Sequence, residues 1–545
     1  MSDQIRIAIA VLLSAIVLFL SQYFFAPQHN SKHEKVMHDE IGDEEVRVEK
    51  IVSRDDVMLS SDRVNFENKL VKGSINLTGA LLDDLVLKNF NELDGSQLVL
   101  LSPSNTSKEY FVEFGWVSEK GIELPSLNTK WNILDNSVDH VNLWWENNVG
   151  IRFEIKVSLD DKYLLNIIQR VVNLSDKNFT IRSRSIIKRV DAGAESSSIM
   201  HEGAIGSINS TLKEVDFGNL KDGEKFTYKD SSGWVGFSDK YWLVSLFAEN
   251  SSTKISGVFS NDADGRYRVS YLLPAQTMVS DDSSVTNFNL FVGPKQLDVL
   301  DYYQEKFNVS LFDRAVDFGF LYFITKPIFL FLHEVYLFTG NFGLAILILT
   351  VLIKVLLLPL SYKSFIGMNK MKKFQPQIQK IKEKYENNPM ELQKATIEFY
   401  KKNNVNPLSG CLPILLQMPV FFALYKVLYV TIEMRHAPFY FWITDLSARD
   451  PTSIFNLFGL IPWSPPEFLK IGILPILMSL SMYIQQQMNP APTDPIQAKI
   501  MKFLPVFFLV MFSSFPSGLV LYWLWSNILS VLQQFLIKRC IPSEK

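Results

Sequence analysis

Apolar and polar residues follow three different patterns along this chain. Residues 5–25 (IRIAIAVLLSAIVLFLSQYFF) form an apolar run with one charge near its start, and at about 1.5 Å per residue such a run crosses a ~30 Å hydrocarbon core. Its end is bulky and aromatic, unlike the small residues of a cleavage site, so residues 1–26 are expected to be an uncleaved membrane anchor. Charge and histidine dominate residues 27–57, which have too few large apolar side chains for a core and read as a tether. Residues 58–310 then alternate with period two, as in YFVEFGWVS, IRFEIKVSL, FTIRSRSIIKRV and KISGVFS, broken by LDD, NLSDKN and NDADG. Many short alternating runs with little helical periodicity between them predict an antiparallel β-sandwich rather than a parallel sheet.

After residue 310 the runs lengthen. Residues 311–340 are apolar and aromatic but punctuated by Asp313, Asp317, Lys326, Pro327 and His333, which predicts amphipathic helices at a membrane interface. Five spans are expected next, over residues 342–360, 412–430, 471–487, 503–513 with flanks on both sides, and 518–537. The second span of the chain then occupies 341–362, a basic connection 363–410, spans three to six 411–537, and a short tail 538–545. Pro413, Pro419, Pro475 and Pro505 each free a backbone carbonyl that a neighbour or water must satisfy, so a bundle with a wet interior is expected. The fold class is a polytopic α-helical membrane protein of six spans carrying an exported β domain.

Composition adds little, because a mean hydropathy of +0.09 averages unlike regions, but the placement of charge sets the orientation. The connection 363–410 holds ten lysines against four glutamates, a local net of +6, so it is expected in the cytoplasm. Residues 432–470 balance Arg435, Arg449 and Lys470 against Glu433, Asp445, Asp450 and Glu467, and with Trp442 and Trp463 they read as outside. Both termini are then cytoplasmic and the β domain is exported. The two cysteines, Cys411 and Cys540, leave that domain without a disulfide, and the histidines and cysteines show no metal-ligand spacing. No phosphate-binding loop appears, so no nucleotide chemistry is expected.

Lys354 is the residue that a simple span does not explain. It lies about 9 Å inside its predicted span, where it either snorkels to the interface or faces a water-filled recess. Thr350 lies four residues earlier on the same face, and Gln417, Ser479, Ser526 and Asn527 are polar positions in other spans. Each is either interhelical glue or part of a hydrophilic recess open to the cytoplasm. The spans contain no acidic residue, which leaves a transporter's proton relay or cation site without its usual groups. In the connection, Met368, Met371, Phe374, Ile378, Ile381 and Tyr385 mark one face of a helix whose other face is rich in lysine. Asn388, Pro389 and Glu391 begin a second helix with Leu392, Ala395, Phe399 and Tyr400 on one face. This basic hairpin serves topology and attraction to anionic lipid, or it docks a ribosome or targeting factor.

NPLSGCLPILLQMPVFFALY, DLSARDP, DPIQAKIMKFLPVFF and FPSGLVLYWLWSN closely resemble the YidC membrane-protein insertases, relatives of the mitochondrial Oxa and chloroplast Alb proteins. The likeness covers residues 315–540, and SGWVGF and FVGPK in the exported region resemble the Gram-negative form. It implies a five-helix insertase core, a β-supersandwich of the sugar-mutarotase kind, residence in the bacterial inner membrane, and no cofactor or covalent chemistry. It also implies nascent membrane proteins and membrane lipids as partners, with the Sec translocon, the ribosome and a targeting receptor beside them. The family carries an arginine in a cytoplasm-open groove of the second span, and the matching position here is Lys354, which keeps the charge without the planar fork. On this reading Lys354, Thr350, Gln417, Ser526 and Asn527 line the groove. Phe421, Leu424, Val506 and Leu509 guide the incoming helix, and Lys372, Lys373 and Lys380 dock the ribosome or its receptor. Two other classes are a solute or ion transporter and a carbohydrate-active exported domain. The second has only the neighbours His201 and Glu202 to offer, which point to opposite faces if they lie on a strand.

Overall fold

The computed structural model describes residues 51–540 except 93, 119–121, 191–199, 222–223, 263–264, 386–387, 404–411, 460, 464, 467–469 and 489–494. The expected anchor, most of the tether, the NPLSGC stretch and the last tail residues lie outside the described residues. Those described belong to one compact unit, Glu49–Lys545.

Residues 63–294 build two antiparallel sheets, one of ten strands and one of nine. The first runs from an edge at Arg63–Glu67 to an edge at Phe226–Ser231, the second from Thr211–Asp216 to Asn132–Asn136. The predicted alternation is clean in Ile151–Leu159, which buries every second residue and pairs with Leu164–Asn173 in a register from Ile151 opposite Asn173 to Leu159 opposite Leu165. Tyr110–Ser118 departs from it by burying both faces along most of its length. Its one carboxylate there, Glu113, is matched by Arg184 and Lys188 at 2.7 and 3.5 Å. Two short helices, α1 (Arg54–Ser60) and α2 (Phe217–Lys221), border the sheets. Helix α3 (Leu297–Phe307) closes the sandwich with buried Leu297, Val299, Leu300 and Tyr303, the last donating to Asp160 at 2.5 Å.

The remaining helices are α4 (Tyr322–Thr339), α5 (Phe342–Leu356), α6 (Leu358–Lys384), α7 (Pro389–Lys402), α8 (Leu412–Val430), α9 (Ile473–Met488), α10 (Pro495–Phe512) and α11 (Ser517–Cys540). Where several interfacial helices were expected in 311–340, there is one 3-10 turn and the single helix α4, packed on α5 and α8. Helix α11 packs against α5, α8 and α9, and α10 lies on α9.

The span expected to run through Leu360 stops at Leu356. Leu357 is a turn, Pro359 occupies the first turn of a new helix where its missing N–H is no loss, and the chain bends by 62°. The hairpin's first helix therefore starts at Leu358. By length and composition only Ser517–Arg539 is a full membrane-crossing helix among the described residues, or two if the bent pair counts as one span. Two of the others are short: α5 has 15 residues and α9 has 16, about 22–24 Å of helix against a ~30 Å core.

Sandwich and bundle meet through specific contacts. Glu433, just after α8, accepts the Leu297 N–H at 3.3 Å, at the start of α3, where the Gln296 side chain caps nothing. Arg435 donates to the Asn91 carbonyl at 2.9 Å, and Lys240 lies 3.9 Å over the Tyr429 ring. Asp317 accepts from the His201 N–H at 3.0 Å and pairs with Lys426 at 3.1 Å.

Candidate functional site

One face of α5 is built to be buried: Phe342, Gly343, Ala345, Ile346, Leu349 and Thr350 turn inward while Val351, Leu352, Val355 and Leu356 are exposed. Lys354 continues the inward face one turn beyond Thr350. Its ammonium therefore enters the bundle, where it donates to Ser530 Oγ at 2.8 Å and faces Gln417 Oε1 at 3.4 Å. Gln417 Nε2 donates to Ser526 Oγ at 2.6 Å, and the Ser530 hydroxyl donates to the Ser526 carbonyl at 2.8 Å. Three helices, α5, α8 and α11, thus supply one polar cluster. No carboxylate among the described residues pairs with Lys354.

The other polar residues expected in this cluster are engaged elsewhere. The Thr350 hydroxyl is buried and donates to its own helix at Ile346 O, 2.6 Å, the usual alternative for a threonine inside a helix. Asn527 donates to Ser481 of α9 at 3.0 Å, because one residue's step round α11 turns it about 100° away from Ser526. Ser479 ties α9 to the Pro505 carbonyl at 2.8 Å. Pro505 also has no N–H to offer Met501 O, and the Gln486 amide takes that carbonyl at 2.6 Å. Sequence reading missed Ser530 and Gln533, although Ser526, Ser530 and Gln533 fall at i, i+4 and i+7 and so mark one polar stripe.

The four apolar residues expected to guide a substrate separate into two groups. Phe421 and Leu424 are core: Phe421 packs edge-on against Phe512 and Trp523, and Leu424 is fully buried. Val506 is exposed and Leu509 half-exposed, beside exposed Phe503, Phe507 and Val510 on α10. Hydrophobicity alone cannot separate lipid-facing from core positions in a span, which accounts for the difference. Phe422, next to Phe421, is the exposed ring of α8.

In the hairpin, Lys372, Lys373 and Lys380 lie on the exposed side of α6. Met368, Met371, Phe374 and Ile381 are half-buried and Ile378 buried, with Phe374 edge-on to Phe399 of α7 at 5.6 Å. Asn388 accepts the Glu391 N–H at 3.4 Å and caps α7. In the sandwich, His201 and Glu202 precede the strand Gly203–Ile208 instead of lying on it. His201 pairs with Asp216 at 2.8 Å while Glu202 accepts the Lys240 N–H at 3.0 Å, so the two side chains hold separate partners.

Comparison with known proteins agrees with this division. The profile of the YidC periplasmic domain matches residues 63–331, and that of the 60Kd inner membrane protein matches 334–544. The membrane protein insertase YidC of Rickettsia canadensis (strain McKiel) is 43% identical over 97% of this chain and 98% of its own length. That of Rickettsia bellii (strain OSU 85-389) is 42% identical over 98% and 99%. A solved structure of an active YidC insertase with its first transmembrane domain resolved aligns with a TM-score of 0.37 and 17% identity, over 87% of this chain and 92% of that one. On the strength of the two profiles and the full-length relatives, the chain belongs to the YidC family of membrane-protein insertases, inner-membrane proteins with a periplasmic domain.

Proposed function

We propose that this insertase works through the polar cluster around Lys354, as a groove open to the cytoplasm and to lipid that receives the hydrophilic part of a nascent membrane protein. The observation that carries the reading is the state of the ammonium. Lysine has three N–H donors, two of them have neutral protein acceptors, and no carboxylate among the described residues neutralises the charge. A third donor and a whole positive charge remain for an incoming acidic or carbonyl group.

An acidic residue at the centre of a bilayer costs about 2.5–3.5 kcal/mol on insertion scales. A lysine supported by neutral hydroxyl and amide groups lowers that cost, and the short helices shorten the apolar path. Lys354 of α5, Gln417 of α8 and Ser526 of α11 then hold the tail while the exposed side chains of α10, Val506 among them, and Phe422 of α8 meet the incoming transmembrane helix. The substrate leaves sideways into lipid without covalent change. The chain spans the membrane six times with both termini in the cytoplasm, and its sandwich is of the supersandwich type. Lys372, Lys373 and Lys380 meet the ribosome or targeting receptor, and the Sec translocon is a partner for some substrates.

The test is protease protection of a substrate series with zero to three acidic residues in the translocated tail. Lys354→Arg is expected to insert all of them at least as well as the natural chain. Lys354→Ala is expected to fail progressively as acidic residues are added, and to differ little for the neutral tail. Equal activity of natural and Ala chains across the series would refute the reading.

A further inference from the structure

The break between α5 and α6 and the direction of the Lys354 side chain are held by the same face of α11. At the break the Leu358 N–H begins a new helix, so the Lys354 carbonyl lacks its regular i+4 donor, and the Gln533 amide supplies one at 3.1 Å. One turn earlier on α11, Ser530 Oγ accepts the Lys354 ammonium at 2.8 Å. The Ser530 proton is already committed to the Ser526 carbonyl, which turns the hydroxyl's lone pairs toward the lysine. Gln417 is set in the same sense: its NH2 is committed to Ser526 Oγ, so its carbonyl oxygen faces Nζ. Every hydrogen in this chain of contacts runs in one direction, and the ammonium is its only charged member.

We infer that Ser530 and Gln533 are positioning residues for insertion, clamping Lys354 by side chain and main chain so that the bend and the placement of the charge are fixed together. Neither residue needs to touch a substrate. Gln533 holds the carbonyl end of the lysine where α5 stops, and Ser530 holds the ammonium, so the third N–H keeps one direction. Loss of either contact releases four methylene torsions, or the hinge at Leu357, and spreads the charge over many positions. Orientation matters most for substrates that need the charge and least for neutral ones. This rests on the groove reading above, and the test is arranged to separate the two.

The full-length chain is reconstituted in vesicles as Ser530→Ala, Ser530→Thr, Gln533→Met and Lys354→Ala. Substrates with no acidic residue and with three acidic residues in the tail are compared by protease protection. Ser530→Ala and Gln533→Met are expected to lower insertion of the acidic substrate roughly threefold or more while the neutral substrate stays within about twofold. Ser530→Thr, which keeps the hydroxyl, is expected to restore it. In nanodiscs, spin labels at Lys372 and Lys538 are expected to report a broader distance distribution for Gln533→Met than for the natural chain. A merely structural role would lower both substrates together and would not distinguish Thr from Ala. If Lys354→Ala loses the acidic substrate while Ser530→Ala and Gln533→Met do not, the clamp is overturned and the groove reading stands. If Lys354→Ala loses nothing, both fall.

Discussion

The sandwich sets carboxylates around its inaccessible cations, whereas the bundle leaves one cation, Lys354, without a carboxylate partner among the described residues. In the sandwich, Arg63 pairs with Asp83, Arg54 with Asp84, Arg189 with Asp239 at 2.7 Å, and Arg266 with Glu109 at 2.6 Å, while buried Lys295 donates to Ser238 at 3.0 Å within the field of Asp239, Glu202 and Glu214. In the bundle, Lys426 of α8 pairs with Asp317 and Lys326 of α4 with Asp301 and Asp313, but Lys354 meets a serine and a glutamine. A matched pair contributes to a single folded arrangement but has nothing left to offer another molecule, since its Coulomb attraction is already satisfied. A cation held only by neutral dipoles keeps its field, and a passing acidic segment is the species that gains from it. The contrast separates cations built to stay closed from the one built to receive.

The largest effect is expected where a matched pair is broken. Arg63→Ala removes the partner of a nearly inaccessible Asp83 and is expected to destabilise the sandwich by about 3–5 kcal/mol. Unfolding of the full chain in detergent, followed by tryptophan fluorescence, measures it. A loss below about 1 kcal/mol would contradict the comparison.

The junction between the regions should respond to pH. Burial pushes the Glu433 carboxyl up from 4.5 to about 7. Between those values the unfolded chain has released its proton while the folded chain retains it, so stability is full below about 4.5, falls as pH rises, and levels off above 7. Asp298 of α3 acts in the same sense on Glu433, whereas nearby Arg435 and His436 are turned to Asn91 and Asp445. Lys295, which burial pushes down to about 8, titrates above this window. The swing is about 3 kcal/mol, from 1.36 kcal/mol per pKa unit. Melting the full chain between pH 4.5 and 8 should show it, with a shallower slope in Glu433→Gln. An unchanged slope would remove Glu433 from the account.

Lys354→Ala should reverse the sandwich result in kind. Its partners are neutral, so removing it strands no charge, and the melting temperature is expected to stay the same or rise while acidic substrates lose roughly tenfold in insertion, about 1.4 kcal/mol. A large fall in stability would make Lys354 a structural residue. The smallest effect is expected at the surface: reversing Lys372, Lys373 and Lys380 to glutamate should weaken ribosome co-sedimentation a few-fold at low salt and little at high salt, with the bundle still folded. Unchanged sedimentation at low salt would leave the hairpin to topology alone.

The sequence by itself determined what is local. Period-two alternation specified strands such as Ile151–Leu159, because a pleated strand shows its faces in every second residue. Repeats of three and four specified the apolar faces of α6 and α7, and Asn388 and Pro389 specified where α7 begins. The inward direction of Lys354 was legible from Thr350, one turn before it. Only the tertiary structure decided which partners those faces meet. Lys354 and Ser530 are 176 residues apart, and nothing in either segment's periodicity names the other. Phe421 and Phe422 are equally apolar, and the packing of Phe512 and Trp523 makes one a core residue and leaves the other exposed. The same holds for Glu433 at the start of α3: a helix end with no side-chain cap of its own leaves an N–H to be satisfied, and only the docking of a distant segment decides what satisfies it.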